Sequence, residues 1–238
     1  MKIEGRNAVL ELLKTDKEIE KILMEKGAQG SLGRIFAEAR RRNIRVQFAE
    51  KAALDRESPS GRHQGVIAFA ADYAYSELED IIADKKSPSG GFVILCDDMQ
   101  DVHNLGSVLR VAECAGADGV VIPKTGSAQV NESVLRISEG AAEHVRVARV
   151  TNLVRAIESL QAAGYWVYGL EADGEDIYGQ DLTGNIALVV GGEDSGLKRL
   201  TREKCDKVLS LPMYGKINSL NASVALGAAC YEAVRQRR

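Results

Sequence analysis

The sequence has few of the residues from which metal centres and disulfide frameworks are built. It contains 4 Cys and 3 His among 238 residues. No two cysteines form a CxxC pair, and His63, His103 and His144 lie far apart along the chain. Because zinc sites and disulfide-rich domains are marked by closely spaced cysteines, we expect reduced thiols and no metal ion.

Long apolar runs are equally scarce. No stretch approaches the roughly 20 apolar residues that cross a bilayer as a helix. The opening MKIEGRNAVLELL carries two acidic side chains and no signal-type hydrophobic segment. We therefore expect a cytoplasmic protein without a membrane partner. The composition is otherwise that of an ordinary globular protein, with 45% hydrophobic and 27% charged residues.

Phosphate-binding loops of the common types are absent as well. The loop GEDSGL follows the run IALVVG, and its glycines at positions 191, 192 and 196 surround Glu193 and Asp194. It lacks the GK[ST] ending of a nucleoside-triphosphate loop, and no GxGxxG follows a strand. Glycines let backbone amides approach a ligand closely, so the loop is a candidate binding element; taken alone, a tight acidic turn explains it better.

Positive charge is concentrated near the N-terminus. Residues 1–75 hold 14 Lys and Arg against 11 Asp and Glu, a net charge of +3, whereas the rest of the chain has a net charge of −6. The segment RIFAEARRRNIR, residues 34–45, predicts a helix with an arginine face suited to phosphate groups. A solvated helix face explains this segment equally well. The candidate phosphate contacts are Arg40, Arg41, Arg42 and Arg45.

Two turn-rich segments divide the chain. ESPSGRHQG precedes a short apolar strand at residues 66–70, and ADKKSPSGG covers residues 83–91, with a short helix predicted before it. We therefore predict a small N-terminal domain at residues 1–74, a linker at 75–90 and a larger domain at 91–238.

In the larger part, short runs of buried-strand type alternate with amphipathic stretches. This alternation predicts an α/β fold with a mostly parallel sheet and flanking helices. Ligands bind at the carboxyl ends of the strands in such sheets, so the loops after these runs are the candidate site. The runs are FVILC, GVVIP, YWVYGL, IALVVG and KVLSLPM.

Asn104 and Arg110 follow the first of these runs. The stretch NLGSVLR predicts a helix start with Asn104 as its N-cap and an aliphatic stripe that is buried. Ser107 and Arg110, three residues apart, would share the polar side near the strand end. The alternative, a solvent-facing Arg110 and a purely capping Asn104, is equally consistent with this loop.

The run SLPMYGKINSLNAS, residues 210–223, leads from the last predicted strand through a glycine loop into a terminal helix. Ser219 would cap this helix, with Asn221 and Ser223 in its first turn beside backbone N–H groups that lack partners within the helix. A polar helix start at a strand end is a candidate site. Capping explains Ser219 better than it explains Asn221.

Three blocks in this order resemble the SpoU family of RNA ribose 2′-O-methyltransferases, within the knotted methyltransferase superfamily. They are NLGSVLR at 104–110, VVGGEDSG at 189–196 and LSLPMYGKINSLNASVALG at 209–227. IEGRNAVLELL and HQGVIAFA are similar to the small substrate-binding domain of members that methylate a guanosine of large-subunit ribosomal RNA, so the resemblance spans nearly the whole chain. Gly192 and Asp194 stand where many members have Ala and Gly, and Ala222 replaces a frequent Val.

This resemblance implies S-adenosylmethionine as methyl donor, 23S ribosomal RNA as partner, a deep trefoil knot and a homodimer formed through the catalytic domain. The general rarity of knotted chains would have argued against the knot. By motif position, the resemblance also implies two sets of site residues. The catalytic set is Asn104, Arg110, Glu193, Ser219 and Asn221, and the cofactor-binding set is Leu170, Gly191, Leu211, Met213 and Leu220.

The implied reaction moves a methyl group from a sulfonium to a ribose hydroxyl. Alignment of both groups can supply several of the ~7–11 kcal/mol available to well-oriented reactions. Because a guanidinium is normally always charged, we expect Arg110, oriented by Asn104, to hold a substrate phosphate or stabilise the developing alkoxide rather than take the proton. Ser219 and Asn221 would fix the loop and the ribose, and Glu193 would orient the site.

The alternatives are a transfer RNA substrate, an adenosine of ribosomal RNA, and a non-catalytic RNA-binding or ribosome-assembly protein that keeps the fold. The last would be expected to lack Asn104, Arg110 or Asn221, and all three are present. Aromatic residues make up only 5% of the chain, which favours recognition of RNA by shape and backbone over a stacking platform.

Overall fold

The computed structural model describes residues 1–14, 19–27, 30–58, 61–70, 73–193 and 195–238. The chain divides into two compact units, Met1–Ala74 and Tyr75–Arg238. Residues 75–90, predicted from the sequence to be a linker, therefore belong to the second unit. Their helix α4 (Leu78–Ala83) buries Leu78 and Ile81 in that unit's core, so apolar packing holds the segment in place.

The first unit is built on a mixed four-stranded sheet. Its elements are β1 (Lys2–Glu4), α1 (Arg6–Leu12), β2 (Ile19–Glu25), α2 (Ser31–Arg41), β3 (Val46–Ala49), α3 (Lys51–Glu57) and β4 (Val66–Ala70). The strand order is β1-β4-β2-β3; β4 runs antiparallel to β1 and β2, and the edge strand β3 runs parallel to β2. The unit is thus a small α/β fold, as predicted.

One face of this sheet packs against α1 and α2. Ile22 and Met24 of β2 are buried together with Val9 of α1 and with Leu32 and Ile35 of α2. Alternate residues of a strand face opposite sides, whereas residues three apart share one side of a helix. The buried residues of β2 follow the strand spacing, and those of α2 follow the helix spacing. Burial of each such side chain contributes about 1.5–3 kcal/mol.

The basic helix of the first unit ends sooner than the sequence predicts. α2 stops at Arg41, and Asn43 adopts a positive φ of 55°. The N–H group of Ile44 then donates to the carbonyl oxygen of Ala39, a helix-ending arrangement in which asparagine can replace the usual glycine. Arg45 therefore lies outside the helix, immediately before β3, and the four predicted arginines do not share one helix face.

The second unit contains six strands in one wholly parallel sheet, of order β10-β8-β9-β5-β6-β7. The predicted parallel sheet with flanking helices is confirmed. After α4, its elements are β5 (Phe92–Cys96), α5 (Val102–Cys114), β6 (Gly119–Pro123), α6 (Glu132–Ile137), β7 (Arg146–Val150), α7 (Leu153–Ala162), β8 (Trp166–Asp176), β9 (Ile186–Val190), α8 (Arg199–Lys204), β10 (Lys207–Ser210) and α9 (Ala222–Gln236).

Three strands of this sheet differ from the sequence prediction. β8 continues to Asp176, past the end of the run YWVYGL at Leu170. The edge strand β7 was missed because its sequence, RVARV, buries only Val147 and Ala148; a strand at an edge needs no continuous apolar run. β10 is shorter than the run KVLSLPM and ends at Ser210. Pro212 follows, and proline has no N–H group to donate to a neighbouring strand.

Helices cover both faces of this sheet. All five residues of β5 and all five of β9 are buried, which requires packing on each face. Ile81 of α4 and Ile157 of α7 pack with Val93, Leu95 and Val189 in one cluster. α5 packs against α9, and α9 also contacts β9. None of the helices in the described ranges is both long and apolar enough to cross a membrane.

All four cysteines are free thiols. Cys96 and Cys230 are buried, whereas Cys114 is exposed. Burial raises the pKa of the Cys96 thiol to about 12, and it raises the pKa of Cys205 to about 12 as well. Since only the thiolate is strongly nucleophilic, these two side chains act as packing groups.

Candidate active site

The carboxyl ends of β9 and β10 open into a cavity that also borders the middle of β8, at Leu170 and Glu171. Its wall includes part of the strap, which we define as residues 211–221 between β10 and α9. This is the sheet edge at which the sequence predicted a ligand. The structure brings all five predicted cofactor residues to the wall of this cavity: Leu170, Gly191, Leu211, Met213 and Leu220.

A second cavity adjoins the first and shares Gly192 and Glu193 with it. Glu193 therefore stands at the junction of the two cavities. Asp194, the other acidic residue predicted in this loop, lies outside the described residues. The second cavity is otherwise lined by Asp98, Met99, Gln100, Asp101, Asn104 and Ser195.

Asn221 joins the elements that meet at this junction. Its side-chain NH₂ group donates to Oδ1 of Asn104 at 2.9 Å and also to Oε1 of Glu193. Its Oδ1 accepts hydrogen bonds from the backbone N–H groups of Ser223 and Val224, at 3.0 and 3.2 Å. The same side chain is thus the N-cap of α9. An amide is required here, because a carboxylate could accept but not donate.

The two capping predictions from the sequence are wrong. α5 begins before Asn104, and its N-cap is Asp101, whose carboxylate accepts the N–H group of His103 at 2.8 Å. Asn104 lies in the first turn, only 5% exposed, where its oxygen is bonded to Asn221. Ser219 does not cap α9, since Asn221 holds that position; Ser219 instead lies on the wall of the first cavity.

Arg110 lies apart from this cluster. Six residues along α5 from Asn104 correspond to about 1.7 turns, which places the two side chains on different sides of the helix. The Arg110 guanidinium is 3.0 Å from the Glu139 carboxylate, and both side chains are more than half exposed. Arg110 lines neither of the two cavities. Within one chain, Asn104 therefore does not orient Arg110 as the sequence led us to expect.

The glycine loop after β9 is held by two carboxylates. Glu171 of β8 accepts the N–H group of Leu197, and the buried Asp97 accepts the N–H group of Lys198 at 2.8 Å. At Gly191 a Cβ atom would lie 2.1 Å from backbone across the loop, so no other residue fits. Neither Glu171 nor Asp97 was predicted from the sequence. The acidic run DDMQD after a buried strand was a visible signal for Asp97, but nothing local marks Glu171.

The arginines proposed to contact RNA have unequal surroundings in the first unit. Arg41 forms an ion pair within α2. Arg42 donates to the carbonyl oxygen of Leu13 at 2.9 Å, so it fastens α2 to the end of α1. Arg40 and Arg45 form no ion pair with any described residue and are exposed. Only part of the predicted cluster is therefore free to meet a phosphate.

Two family descriptions match the chain. The SpoU rRNA Methylase family matches residues 91–231, and the family described as RNA 2'-O ribose methyltransferase substrate binding matches residues 2–76. The chain is also 45% identical to the 23S rRNA (guanosine-2'-O-)-methyltransferase RlmB of Xanthomonas axonopodis pv. citri, over 99% of this chain and 96% of that protein.

Two further similarities agree with these matches. A protein of Bacillus subtilis named "Putative TrmH family tRNA/rRNA methyltransferase YacO" is 43% identical over 98% of this chain and 94% of its own length. The SpoU methyltransferase AviRb from Streptomyces viridochromogenes, solved in complex with the cofactor AdoMet, shares the fold with a TM-score of 0.70 at 24% identity, covering 100% of this chain and 90% of that one. The resemblance in the three sequence blocks is thereby confirmed, and the chain belongs to the SpoU rRNA methylase family.

Proposed function

We propose that the protein transfers a methyl group from S-adenosylmethionine to the 2′-hydroxyl of a guanosine in 23S ribosomal RNA. The observation that carries this proposal is the hydrogen-bonded group of Asn104, Asn221 and Glu193 where two cavities meet. One cavity suits the methyl donor and the other is open to a nucleotide, so both reactants reach these three side chains. A relative that is 45% identical over 99% of the chain is named for this activity.

The first cavity fits S-adenosylmethionine by the chemistry of its wall. Leu170, Leu211 and Leu220 offer an apolar surface to an adenine ring. Glu171 and Glu193 bring two carboxylates to the same wall, which favours the positively charged methionine part. When bound, this cofactor would supply a methyl group from its sulfonium and remain as a neutral thioether, so that the proton lost in the reaction is that of the ribose hydroxyl.

The chain's own contribution is to position the ribose. The Asn104 oxygen is occupied by Asn221, whereas the Asn104 NH₂ group has no hydrogen-bond partner among the described residues and can donate to a ribose or phosphate oxygen. Glu193 accepts a hydrogen bond from Asn221 through Oε1, and its Oε2 is a hydrogen-bond acceptor that can orient the substrate hydroxyl. Ser219 adds a hydroxyl to the wall. Positioning of this kind can supply several of the ~7–11 kcal/mol available from orientation.

We assign Arg110 to an RNA phosphate. Among the described residues its only ion-pair partner is Glu139, and both side chains of the pair are exposed. Exposed ion pairs contribute only about 0–1 kcal/mol, so a phosphate can displace the carboxylate at little cost. The planar guanidinium can then hold two phosphate oxygens at once. This role uses Arg110 as a fixed charge, not as a proton acceptor.

RNA binding is assigned mainly to residues 1–74 and methyl transfer to residues 91–238. The first assignment is supported by the net charge of +3 over residues 1–75 and by the substrate-binding family that matches residues 2–76. A ribosomal RNA substrate would place the protein in the cytoplasm. Salt titration of RNA binding is the direct measurement, since phosphate contacts make affinity fall steeply with salt concentration.

A homodimer through the second unit is part of the proposal. Val224 and Tyr231 of α9 lie seven residues apart, about two turns, and are 55% and 53% exposed. Ile217 of the strap is 75% exposed, so apolar side chains stand open beside the site. A Tyr231→Glu variant should shift the mass measured by light scattering from dimer to monomer. A wild-type protein that is monomeric at all concentrations would rule the dimer out.

A deep trefoil knot formed with the terminal segment is also proposed. It is supported by family membership and by a sheet order in which β9 and β8 lie between β5 and the last strand, β10. The test is to stretch the unfolded chain from both ends in an optical trap. A tightened knot would make the chain shorter than the ~3.3–3.6 Å per residue of a fully extended one, whereas an unknotted chain would reach that length.

The experiment that tests the proposed activity is methyl transfer from labelled S-adenosylmethionine into unmodified 23S ribosomal RNA and transfer RNA. Mass spectrometry then identifies and maps the product nucleoside. One 2′-O-methylguanosine at a single ribosomal position would establish the reaction and the substrate together. Label in neither RNA, with the cofactor bound in calorimetry, would favour a protein that only binds RNA.

Transfer RNA is the second candidate substrate, because the 43% identical relative from Bacillus subtilis is named for both tRNA and rRNA. Label found only in transfer RNA would keep the chemistry and replace the substrate. Label on an adenosine would likewise keep the chemistry and change the nucleotide. Both outcomes would contradict the guanosine of 23S ribosomal RNA.

A further inference from the structure

An exposed pair of phenylalanines lies between helix α2 and the edge strand β3 of the first unit. Phe48 of β3 is 51% exposed. Its ring centroid is 5.5 Å from that of Phe36, with the ring planes tilted by 48°. Phe36 packs against the buried core of the unit, so it fixes the position of the pair, while about half of Phe48 remains exposed to water.

Arg40 adds a positive charge to this pair. Its guanidinium carbon lies 5.9 Å from the centre of the Phe36 ring, one helical turn away along α2. In the described part of the chain no carboxylate neutralises it. Arg41, the next residue, is instead paired with Glu38, and the Arg41 hydrogen bond holds the pKa of Glu38 below its usual value. Arg40 is thus available to a negatively charged partner.

The third phenylalanine of this unit, Phe69, differs from Phe48 because cations of the same unit lie over its ring. Phe69 of β4 has the ammonium groups of Lys2 and Lys21 at 5.6 and 4.6 Å from its ring centre. Both cations stand where a stacking partner would lie. Phe48 has no such neighbour among the described residues, so its ring is open to a planar group from another molecule.

We propose that Phe48, supported by Phe36 and flanked by Arg40, is a stacking site for an unpaired base of the substrate RNA. Every base presents a π face, so an exposed aromatic ring can take one base without reading its identity. Arg40 would contact the adjoining phosphate. This inference rests on the proposed function and adds a base contact to a chain whose low aromatic content favours recognition by shape.

A second copy of this chain is a poorer occupant than RNA. An isologous contact places the same patch on both copies, so the two Arg40 side chains would face each other across the contact. Like charges at short range oppose association. An RNA strand instead carries a phosphate beside each base and complements both the ring and the guanidinium.

The test is equilibrium binding of the full-length protein to an unmodified 23S ribosomal RNA transcript. Phe48→Ala should weaken binding by at least about fivefold, the lower end of what base stacking contributes, and Phe48→Leu should do the same because it keeps an apolar group without a π face. Phe48→Trp should bind like the wild type. Its fluorescence should also be quenched by RNA beyond the change seen for Trp166, the chain's own tryptophan, in the wild type.

Arg40→Gln and Arg41→Gln form a matched pair of controls. Arg40→Gln should reduce the slope of log binding constant against log salt by about 0.7, the value for one phosphate of a single strand. Arg41→Gln should change the slope less, since Arg41 is already paired with Glu38. Circular dichroism establishes that each variant is folded.

The outcomes separate this inference from the proposed function. A wild type that neither binds nor methylates RNA would overturn the proposed function. If the wild type binds RNA and both Phe48→Ala and Phe48→Leu bind within about twofold of it, only the stacking site is overturned. A stacking contact would contribute more than this difference. A Phe48→Ala variant with unchanged RNA affinity but a lower mass in light scattering would assign the patch to self-association instead.

Discussion

The two ends of the six-stranded sheet use polar side chains in opposite ways. At the amino end, Asp118 is 1% exposed and accepts the N–H groups of Lys86 and Phe92, each at 2.6 Å. At the carboxyl end, Asn221 and Glu193 bond to each other, and both remain exposed. Polar groups committed to backbone stabilise the fold, whereas polar groups bonded mainly to each other stay available to a ligand.

Helix α9 connects these two ends. It begins at Asn221 beside the candidate site and ends next to Arg237, which donates to the carbonyl oxygens of Gly91 and Leu182 at 3.0 and 3.2 Å. The Arg237 guanidinium also lies 5.0 Å from the Phe92 ring centre. The helix is therefore fixed at its C-terminus by backbone acceptors, and this anchoring places Asn221 at the other end.

The largest effect is expected at the carboxyl end, for Asn221→Asp. The carboxylate can still cap α9, but it loses the NH₂ group and sets a second negative charge beside Glu193. Because misplacement by about 1 Å can cost 10²-fold in rate, we expect methyl transfer to fall by about 10²–10³-fold. Thermal unfolding should change little.

Asn221→Ala is the control for this prediction. It removes the cap as well, so its stability should fall by about 1 kcal/mol in addition to the loss of activity. The comparison uses single-turnover rates and thermal melts of both variants. An Asn221→Asp protein with wild-type rates would show that the amide donor is dispensable, and the proposed site geometry would be wrong.

At the amino end, Asp118→Ala should act on stability alone. It leaves the buried N–H group of Phe92 and the partly buried N–H group of Lys86 without this acceptor, which should lower the free energy of unfolding by about 2–3 kcal/mol. Activity per folded molecule should be unchanged. Urea unfolding and the rate at a temperature where the variant is folded provide the measurements; Asp118→Asn, which retains one acceptor, should lose less.

Arg110→Lys should have an intermediate effect on activity. Lysine keeps the charge but not the planar fork, so kcat/KM for RNA should fall by about tenfold, which corresponds to 1.4 kcal/mol. Cofactor affinity by calorimetry should stay the same. The matched variant Glu139→Gln frees Arg110 and should not reduce the rate. Near-full transfer by Arg110→Lys would exclude both the phosphate and the alkoxide role.

The smallest effect is expected at Glu232, inside α9. Hydrogen bonds from Arg235, and then from Gln236, lower the pKa of Glu232 from 4.5 to about 2. A lowered pKa in the folded state adds stability above the unfolded pKa, and that stability is lost as pH falls through the folded pKa.

Glu232→Gln should therefore lower the free energy of unfolding at pH 7 by about 1 kcal/mol, a modest amount because Arg235 is largely exposed. The difference in unfolding free energy between wild type and variant should shrink as pH falls from above 4.5 toward 2. Urea unfolding at a series of pH values measures it. A gap that is constant with pH would mean that packing, not charge, accounts for the difference.

The sequence by itself determined the parallel sheet, five of its six strands and the two loops that border the first cavity. Buried strands such as β5 and β9 can be recognised in the sequence, because both of their faces are covered and their apolar runs are therefore continuous. The glycine loop and the strap follow such strands directly, and the carboxyl ends of parallel strands share one edge. These patterns placed the candidate site at this edge, and the resemblance of its loops to the SpoU motifs placed Gly191 and Leu211 at the wall of the first cavity.

Only the tertiary structure decided which distant side chains touch. Asn104 and Asn221 are 117 residues apart in sequence, and their bond depends on α5 packing against α9. The position of Glu171 against the glycine loop likewise follows from a strand order that differs from chain order. Periodicity reports which face of an element is buried, but not which element lies beside it, so these contacts could not be predicted from the sequence.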